Sequence, residues 1–133
     1  MITYRTSRNI NRKNLRDLFL SVNWDSGNHP AKLVRAIAGS HHVVTAWHDN
    51  RLVGLMNALS DGVMTTYFHY LLVHPAYQRK KIGTALVKKM LAKYKNCETK
   101  VLISHAEAVK FYMACGYVRR SELTPMFVTS LTL

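Results

Sequence analysis

The spacing of apolar residues along this chain predicts a mixed α/β fold. Apolar positions that recur every three to four residues predict four helices, at 11–22, 30–38, 82–95 and 105–115. Shorter apolar or alternating runs predict strands at 2–6, 41–48, 51–59, 64–74, 99–104, 117–121 and 125–132, the second and third joined at Asp49-Asn50. The resulting order, β-α-α-β-β-β-α-β-α-β-β, is an α/β (α+β) arrangement with a mixed β-sheet flanked by helices.

Residues suited to helix ends support these boundaries. Asn11 is a candidate N-cap for the first helix, and Pro30 suits the first turn of the second. Ser104 with Glu107 three residues later is a capping-box pattern, and it predicts the start of the last helix. Gly116 suits the left-handed position just after that helix.

Length and composition favour one globular domain over residues 1–133. No apolar run is long enough to span a membrane, and Met1–Arg5 resembles a strand rather than the apolar part of a signal peptide. The two cysteines, Cys97 and Cys115, form no disulfide framework. We therefore expect a cytoplasmic protein.

The most informative segment is the basic turn at 77–85, which follows the apolar run 70–73 and opens the helix at Ile82. A strand, a short basic turn and a helix start suit a phosphate group, because the first helical amides are free and the helix dipole is positive there. The segment lacks the Gly-x4-Gly-Lys-Ser/Thr string of a nucleotide P-loop. Gly83 stands alone, so the three-glycine dinucleotide fingerprint is also excluded.

Gln78, Lys81 and Gly83 resemble the pyrophosphate-binding motif of the GNAT superfamily of N-acetyltransferases, Gln/Arg-x-x-Gly-x-Gly/Ala. Lys81 replaces the first glycine of that motif. A positive φ would cost a lysine roughly 1 kcal/mol that glycine avoids. Its amide can still donate a hydrogen bond, or its side chain can take over part of the phosphate contact.

A second segment, 108–117, resembles the later GNAT pattern Ala-x-x-Phe-Tyr-x-x-x-Gly-Phe/Tyr through Phe111, Tyr112 and Gly116. His105 stands where relatives often carry asparagine. The resemblance covers roughly residues 64–120, and it implies a GNAT-like domain and an acyltransferase that uses acetyl-CoA as cosubstrate without a metal. The two histidines His41 and His42 have no cysteine or acidic partner at metal-ligand spacing.

The resemblance assigns the coenzyme to the strand end and the basic turn. Main-chain groups of the strand would pair with the pantetheine arm, and the turn amides would hold the pyrophosphate. The cofactor-binding residues implied are Leu71, Leu72, Val73, Gln78, Arg79, Lys80, Lys81, Ile82, Gly83 and Thr84.

Three residues are candidates for the chemistry, which the family performs by direct amine attack through a tetrahedral intermediate. The backbone N–H of Leu72 would stabilise the oxyanion. Tyr112 matches the family tyrosine that reaches the coenzyme sulfur, and its phenol, with a pKa of about 10, would act as the acid. His69 is the candidate base, with water as the alternative. Strict alternation puts the odd-numbered residues of 67–71 on one face of the strand and the even-numbered residues of 68–72 on the other.

The formal net charge of +12 bears on partners. A positive rim disfavours polyamines, so we expect a small amine or amino-acid-like acceptor, with a protein N-terminus or lysine still open. Two other functions stay open: an acetyl-CoA-binding protein without catalysis, and a basic module that binds nucleic acid or an acidic protein. The acceptor pocket is expected around 23–25 and 124–127. Met126–Thr132 could pair across a homodimer.

Overall fold

The computed structural model describes residues 1–132 and contains one five-stranded sheet with helices on both faces. Leu133, the last residue of the predicted domain, lies outside the described residues. The elements are β1 (Ile2–Arg5), α1 (Arg12–Ser21), α2 (Pro30–Ala38), β2 (His42–His48), β3 (Arg51–Ser60), β4 (Thr65–Val73), α3 (Ile82–Lys93), β5 (Thr99–Leu102) and α4 (Val109–Ala114). Three short 3-10 turns cover Asp25–Asn28, Pro75–Tyr77 and Ala106–Ala108.

The strands follow chain order across the sheet, β1-β2-β3-β4-β5. Every neighbouring pair is antiparallel except β4 and β5, which run parallel. One hydrophobic core lies between the sheet and α3, and a second lies between the opposite face and α1 with α2. The predicted mixed sheet flanked by helices is therefore confirmed.

Most of the residues predicted to cap or end helices do so in the structure. Asn11 caps α1, its side-chain oxygen accepting from the Asn14 amide at 2.8 Å. Gly116 takes a φ of 105° after α4, as expected for a left-handed C′ residue. The predicted capping box does not form, because the Ser104 hydroxyl donates to the carbonyl of its neighbour His105 at 2.7 Å. The segment consequently begins as a 3-10 turn, and α4 starts only at Val109.

The two predicted C-terminal strands, 117–121 and 125–132, are absent from the described chain. Residues there have strand-forming composition, but Met126 and Val128 are 91% and 106% exposed, so they bury no face against the sheet. A strand is stabilised by its neighbours and by burial rather than by propensity alone. The segment is instead held at its far end, where the Thr132 amide donates to the Asp25 carboxylate at 3.1 Å.

A helix that could cross a membrane would have to be much longer and more apolar than any found in residues 1–132.

Candidate active site

A β-bulge interrupts β4 at its centre. Phe68 lies opposite Ala58 and Leu71 opposite Met56, so two residues of β4, His69 and Tyr70, face the single residue Asn57 of β3. The Asn57 side chain replaces the missing ladder bond, since its oxygen accepts from the Tyr70 amide at 2.8 Å.

Buried polar groups connect the bulge to α2. Asn57 is 2% exposed, and its side-chain nitrogen donates to the Ser40 hydroxyl at 3.0 Å. That hydroxyl in turn donates to the Ala36 carbonyl at 3.0 Å, near the end of α2. The bulge geometry is thus tied to the helical layer by a chain of satisfied hydrogen bonds.

Because of the extra residue in the bulge, the side chains of β4 do not divide between the two sheet faces as predicted. Phe68 packs in the core beneath α3, whereas Tyr70 and Leu72 pack against the core beneath α1 and α2. Leu71 lies on the α3 side. Strict alternation from Phe68 to Leu72 was therefore wrong, because a bulge shifts the side-chain period by one residue.

Beyond Phe68, β4 has an open edge within the described chain. The parallel pairing with β5 ends at Phe68 and Leu102, while β4 continues to Val73. Main-chain N–H and C=O groups on that side of residues 69–73 are free of strand pairing. Such an edge can accept an extended ligand as an additional strand.

Two hydrogen bonds determine which amides face this open edge. The His74 amide donates to the Val53 carbonyl on β3, and the Tyr70 amide points to Asn57, also on β3. Because amides alternate in direction along a strand, the Leu72 amide between them also points toward β3. The N–H and C=O groups of Leu71 and Val73 therefore point to the open edge. Of these, the Val73 carbonyl accepts from the Gln78 side chain at 3.0 Å.

The basic turn leads into α3 with its first amides uncapped. Lys81 occupies the N-cap position in the left-handed conformation, with φ at 62°, and it makes no side-chain cap hydrogen bond. Lys81 thus adopts the positive φ that is costly for a lysine at the position where the resemblance has a glycine. Arg79 adopts the same region, with φ at 63°, which the sequence did not reveal. The amides at the start of α3 and the positive charges of 79–81 thus lie together at one end of the open edge.

Gly83 is the point where the two sequence motifs meet. A Cβ atom built on Gly83 would lie 3.4 Å from Phe111 Cζ and 4.0 Å from Val73 Cγ2. The start of α3, the end of β4 and α4 are therefore in contact, and Tyr112 follows Phe111 on α4.

Tyr112 lies among aromatic residues on the α3 side of the sheet. Its ring centroid is 5.7 Å from that of Tyr117, whose ring is 6.4 Å from Phe68, the last paired residue of β4. Burial, and secondarily nearby Cys115, raises the pKa of Tyr112 to about 12. The Tyr112 hydroxyl therefore keeps its proton at neutral pH. Burial also raises the pKa of Tyr117, whose hydroxyl is buried without a hydrogen-bond partner in the described structure.

His69 lies on the opposite side of the sheet from Tyr112, at the bulge. Its ring stacks on Tyr70, with centroids 4.0 Å apart, and on Tyr67 at 5.6 Å. His69 is exposed as a residue, but part of its ring is desolvated by its neighbours. This partial burial lowers the pKa of His69, so the imidazole is mainly neutral at pH 7 and able to accept a proton.

Sequence reasoning missed Asn57, which shapes the centre of the site. The signal was present, because Asn57 interrupts the apolar run Leu55-Met56-Asn57-Ala58. A buried asparagine in a strand must satisfy its amide elsewhere, and here it does so with the neighbouring strand. Within residues 1–132 no three His, Cys, Asp or Glu side chains gather as metal ligands.

Comparison with known proteins identifies relatives over most of the chain. Residues 22–125 match the family described as "Acetyltransferase (GNAT) domain". The uncharacterized N-acetyltransferase ycf52 of Porphyra purpurea is 26% identical over 120 residues, which cover 85% of this chain and 68% of that protein. A GNAT-family acetyltransferase from Streptococcus pneumoniae superposes with a TM-score of 0.85 at 26% identity, covering 98% of both chains. A putative acetyltransferase from Deinococcus radiodurans gives 0.82 at 23% identity, covering 97% of this chain and 88% of that one.

Proposed function

This chain belongs to the GNAT acetyltransferase family, and on that premise we propose that it transfers an acetyl group from acetyl-CoA to the nitrogen of a primary amine. The observation that carries the proposal is the open edge of β4 beyond Phe68, which ends beside the uncapped start of α3. Acetyl-CoA has an extended pantetheine arm, which suits the open strand edge, and a pyrophosphate, which suits the helix start. The two features must therefore lie next to each other to bind it.

The residues at this edge fit acetyl-CoA as a substrate. The free N–H and C=O of Leu71 and the N–H of Val73 can pair with amide groups of the pantetheine arm. The phosphates would be held by the amides and charges of the turn, with Gln78 fixing the turn to the Val73 carbonyl. The turn residues with this proposed role are Arg79, Lys80, Lys81, Ile82, Gly83 and Thr84.

The direction of the amides moves the proposed oxyanion donor by one residue. The acetyl carbonyl oxygen gains negative charge as the amine nitrogen attacks its carbon, and a fixed N–H donor lowers that barrier. The Leu72 amide faces β3, whereas the Leu71 amide faces the open edge directly after the bulge. We therefore assign the donor role to Leu71 and leave Leu72 a packing role in the core beneath α1 and α2.

Tyr112 acts on the leaving sulfur as a hydrogen-bond donor. When the carbon–sulfur bond breaks, the electron pair stays on sulfur as a thiolate. A thiol has a pKa of about 8.5, well below the value of about 12 for Tyr112, so complete proton transfer from the phenol would be uphill. A hydrogen bond from the phenol still stabilises the thiolate, and the hydroxyl keeps its proton throughout.

His69 is the proposed base for the incoming ammonium. Its neutral imidazole lies at the bulge, two residues before the Leu71 amide, on the sheet face that carries α1 and α2. The proton released from the amine passes to His69 directly or through a water molecule.

Coenzyme binding and amine turnover test this proposal separately. We expect acetyl-CoA and CoA to raise the thermal midpoint, a short oligonucleotide to leave it unchanged, and an amine panel to release thiol from acetyl-CoA. Absence of any shift with acetyl-CoA would reject the function. A shift without thiol release from any amine would favour a coenzyme-binding protein without catalysis.

The Tyr112→Phe variant tests the assignment at the sulfur. A hydrogen bond to a developing charge is worth about 1.5–3 kcal/mol, so kcat should fall about 10- to 100-fold while acetyl-CoA affinity stays unchanged. Tyr117→Phe is the matched control, because it removes a neighbouring phenol whose hydroxyl has no hydrogen-bond partner within residues 1–132. Equal turnover in the Tyr112→Phe variant and the wild type would show that Tyr112 has no such role.

A further inference from the structure

Three stacked rings form a continuous surface on β4, which we call the aromatic face: Tyr67, His69 and Tyr70. The His69 ring stacks on Tyr70 with an interplanar angle of 24° and on Tyr67 with an angle of 29°. His69 is exposed, and Tyr67 and Tyr70 are partly exposed. Strict alternation would not place neighbouring residues 69 and 70 on one side of the sheet, so this surface is a consequence of the bulge.

Neighbouring elements hold the aromatic face in position. The Tyr70 hydroxyl lies 2.7 Å from the Ser26 hydroxyl in the turn between α1 and α2. The Tyr70 ring meets Phe19 edge to face at 4.8 Å, and Trp24 lies 6.1 Å away at 34°, extending the surface toward that turn. A surface fixed by packing and by a hydrogen bond loses little freedom when a ligand binds.

The aromatic face lies immediately beside the proposed reaction point. It begins next to Phe68, where the pairing of β4 and β5 ends, and it stops one residue before the Leu71 amide. A molecule resting on these rings would therefore have its end group at the open edge of β4.

The polar groups near this surface are largely engaged with one another. Asp25 follows Trp24 in the chain, and its two oxygens accept from the Asn28 side chain and the Thr132 amide, each at 3.1 Å. The Ser26 hydroxyl is engaged by Tyr70. Because the three rings stack on one another, they offer a ligand chiefly their edges, which favour edge-to-face contact with another aromatic ring.

We propose that the acceptor is an aralkylamine, a primary amine carried on a short alkyl chain that bears a planar aromatic ring. The ring packs on the aromatic face, and the amine reaches the open edge beside His69. This inference rests on the acetyltransferase function proposed above, and it narrows the acceptor from small amines in general to one chemical class.

A matched pair of amines measures the contribution of contact between the acceptor ring and these aromatic side chains. 2-Phenylethylamine and 2-cyclohexylethylamine have the same chain and a similar apolar volume, but only the first has a π face. We expect kcat/KM for thiol release from acetyl-CoA to be about three- to tenfold higher with the phenyl compound. Tyr67→Leu should lower this ratio, because it removes one of the three rings but keeps an apolar side chain.

Tyr4→Leu is the control, since Tyr4 lies on β1 and packs on the opposite sheet face beside Lys89. Its ratio should equal that of the wild type. Thiol release without preference for the phenyl compound, or a preference that Tyr67→Leu leaves undiminished, would overturn the aralkylamine inference and leave the acetyltransferase function intact. Failure of acetyl-CoA to shift the thermal midpoint would instead reject the function itself.

Discussion

Replacing Asn57 by alanine should destabilise the protein strongly, because this side chain completes the bulge in β4. The change leaves the partly buried Tyr70 amide without its acceptor and the Ser40 hydroxyl without its donor. An unsatisfied buried donor costs about 1–3 kcal/mol, and the second lost bond with the small cavity adds about 1 kcal/mol. We therefore expect the free energy of unfolding to fall by about 2–4 kcal/mol.

Urea unfolding measures this loss. With a slope of about 2 kcal/mol per molar, in the middle of the usual range, the midpoint should fall by roughly 1–2 M. Ser40→Ala is the matched control. It removes the bonds from Asn57 to Ser40 and from Ser40 to Ala36 but keeps the bond from the Tyr70 amide to Asn57. It should destabilise by about 1–2 kcal/mol. A loss below about 0.5 kcal/mol for Asn57→Ala would mean that the Tyr70 amide finds another acceptor, and it would refute the reasoning.

Two further predictions concern the basic turn and the proposed base. Lys81→Gly should raise the free energy of unfolding by about 0.5 kcal/mol, because relief of the left-handed φ outweighs the added chain entropy. Destabilisation of this variant in urea would contradict the prediction. Weaker acetyl-CoA binding by the variant at low salt would show that the Lys81 side chain contacts phosphate. For His69, burial lowers the pKa, so kcat/KM should hold as pH drops through 6.5 and decline only below it. The same shift makes folding stability fall below about pH 6.5, since the unfolded chain binds the proton more readily. A His69→Gln variant should lose the acidic decline in kcat/KM, and an unchanged profile would exclude His69 as the base.

The sequence predicts those parts of the fold that depend on local signals. The Asn11 cap, the Pro30 helix start and the left-handed Gly116 need only a few neighbouring residues, and all three appear as expected. The left-handed Lys81 was also predictable, because the resemblance placed it where a glycine is usual.

Features that depend on distant partners could not be predicted in the same way. The bulge at His69 and Tyr70 needs a side chain from β3, and no periodicity within β4 reports it. The segment 125–132 has the composition of a strand, but composition does not reveal whether a neighbouring strand is available to pair with it. The direction of the Leu72 amide could not be predicted either, because it depends on the pairing of β4 with β3.

The bulge divides β4 into two halves that should tolerate substitution to different degrees. In the half formed by Leu71 and Val73, the proposed contacts to the coenzyme use main-chain groups, so substitutions that keep the strand intact preserve them. In the half formed by Tyr67, His69 and Tyr70, the proposed contacts to the acceptor use side chains, so each substitution changes the surface that the acceptor would meet. One strand can therefore keep its donor substrate while its acceptor changes. A single-residue insertion or deletion within β4 would disrupt both halves at once.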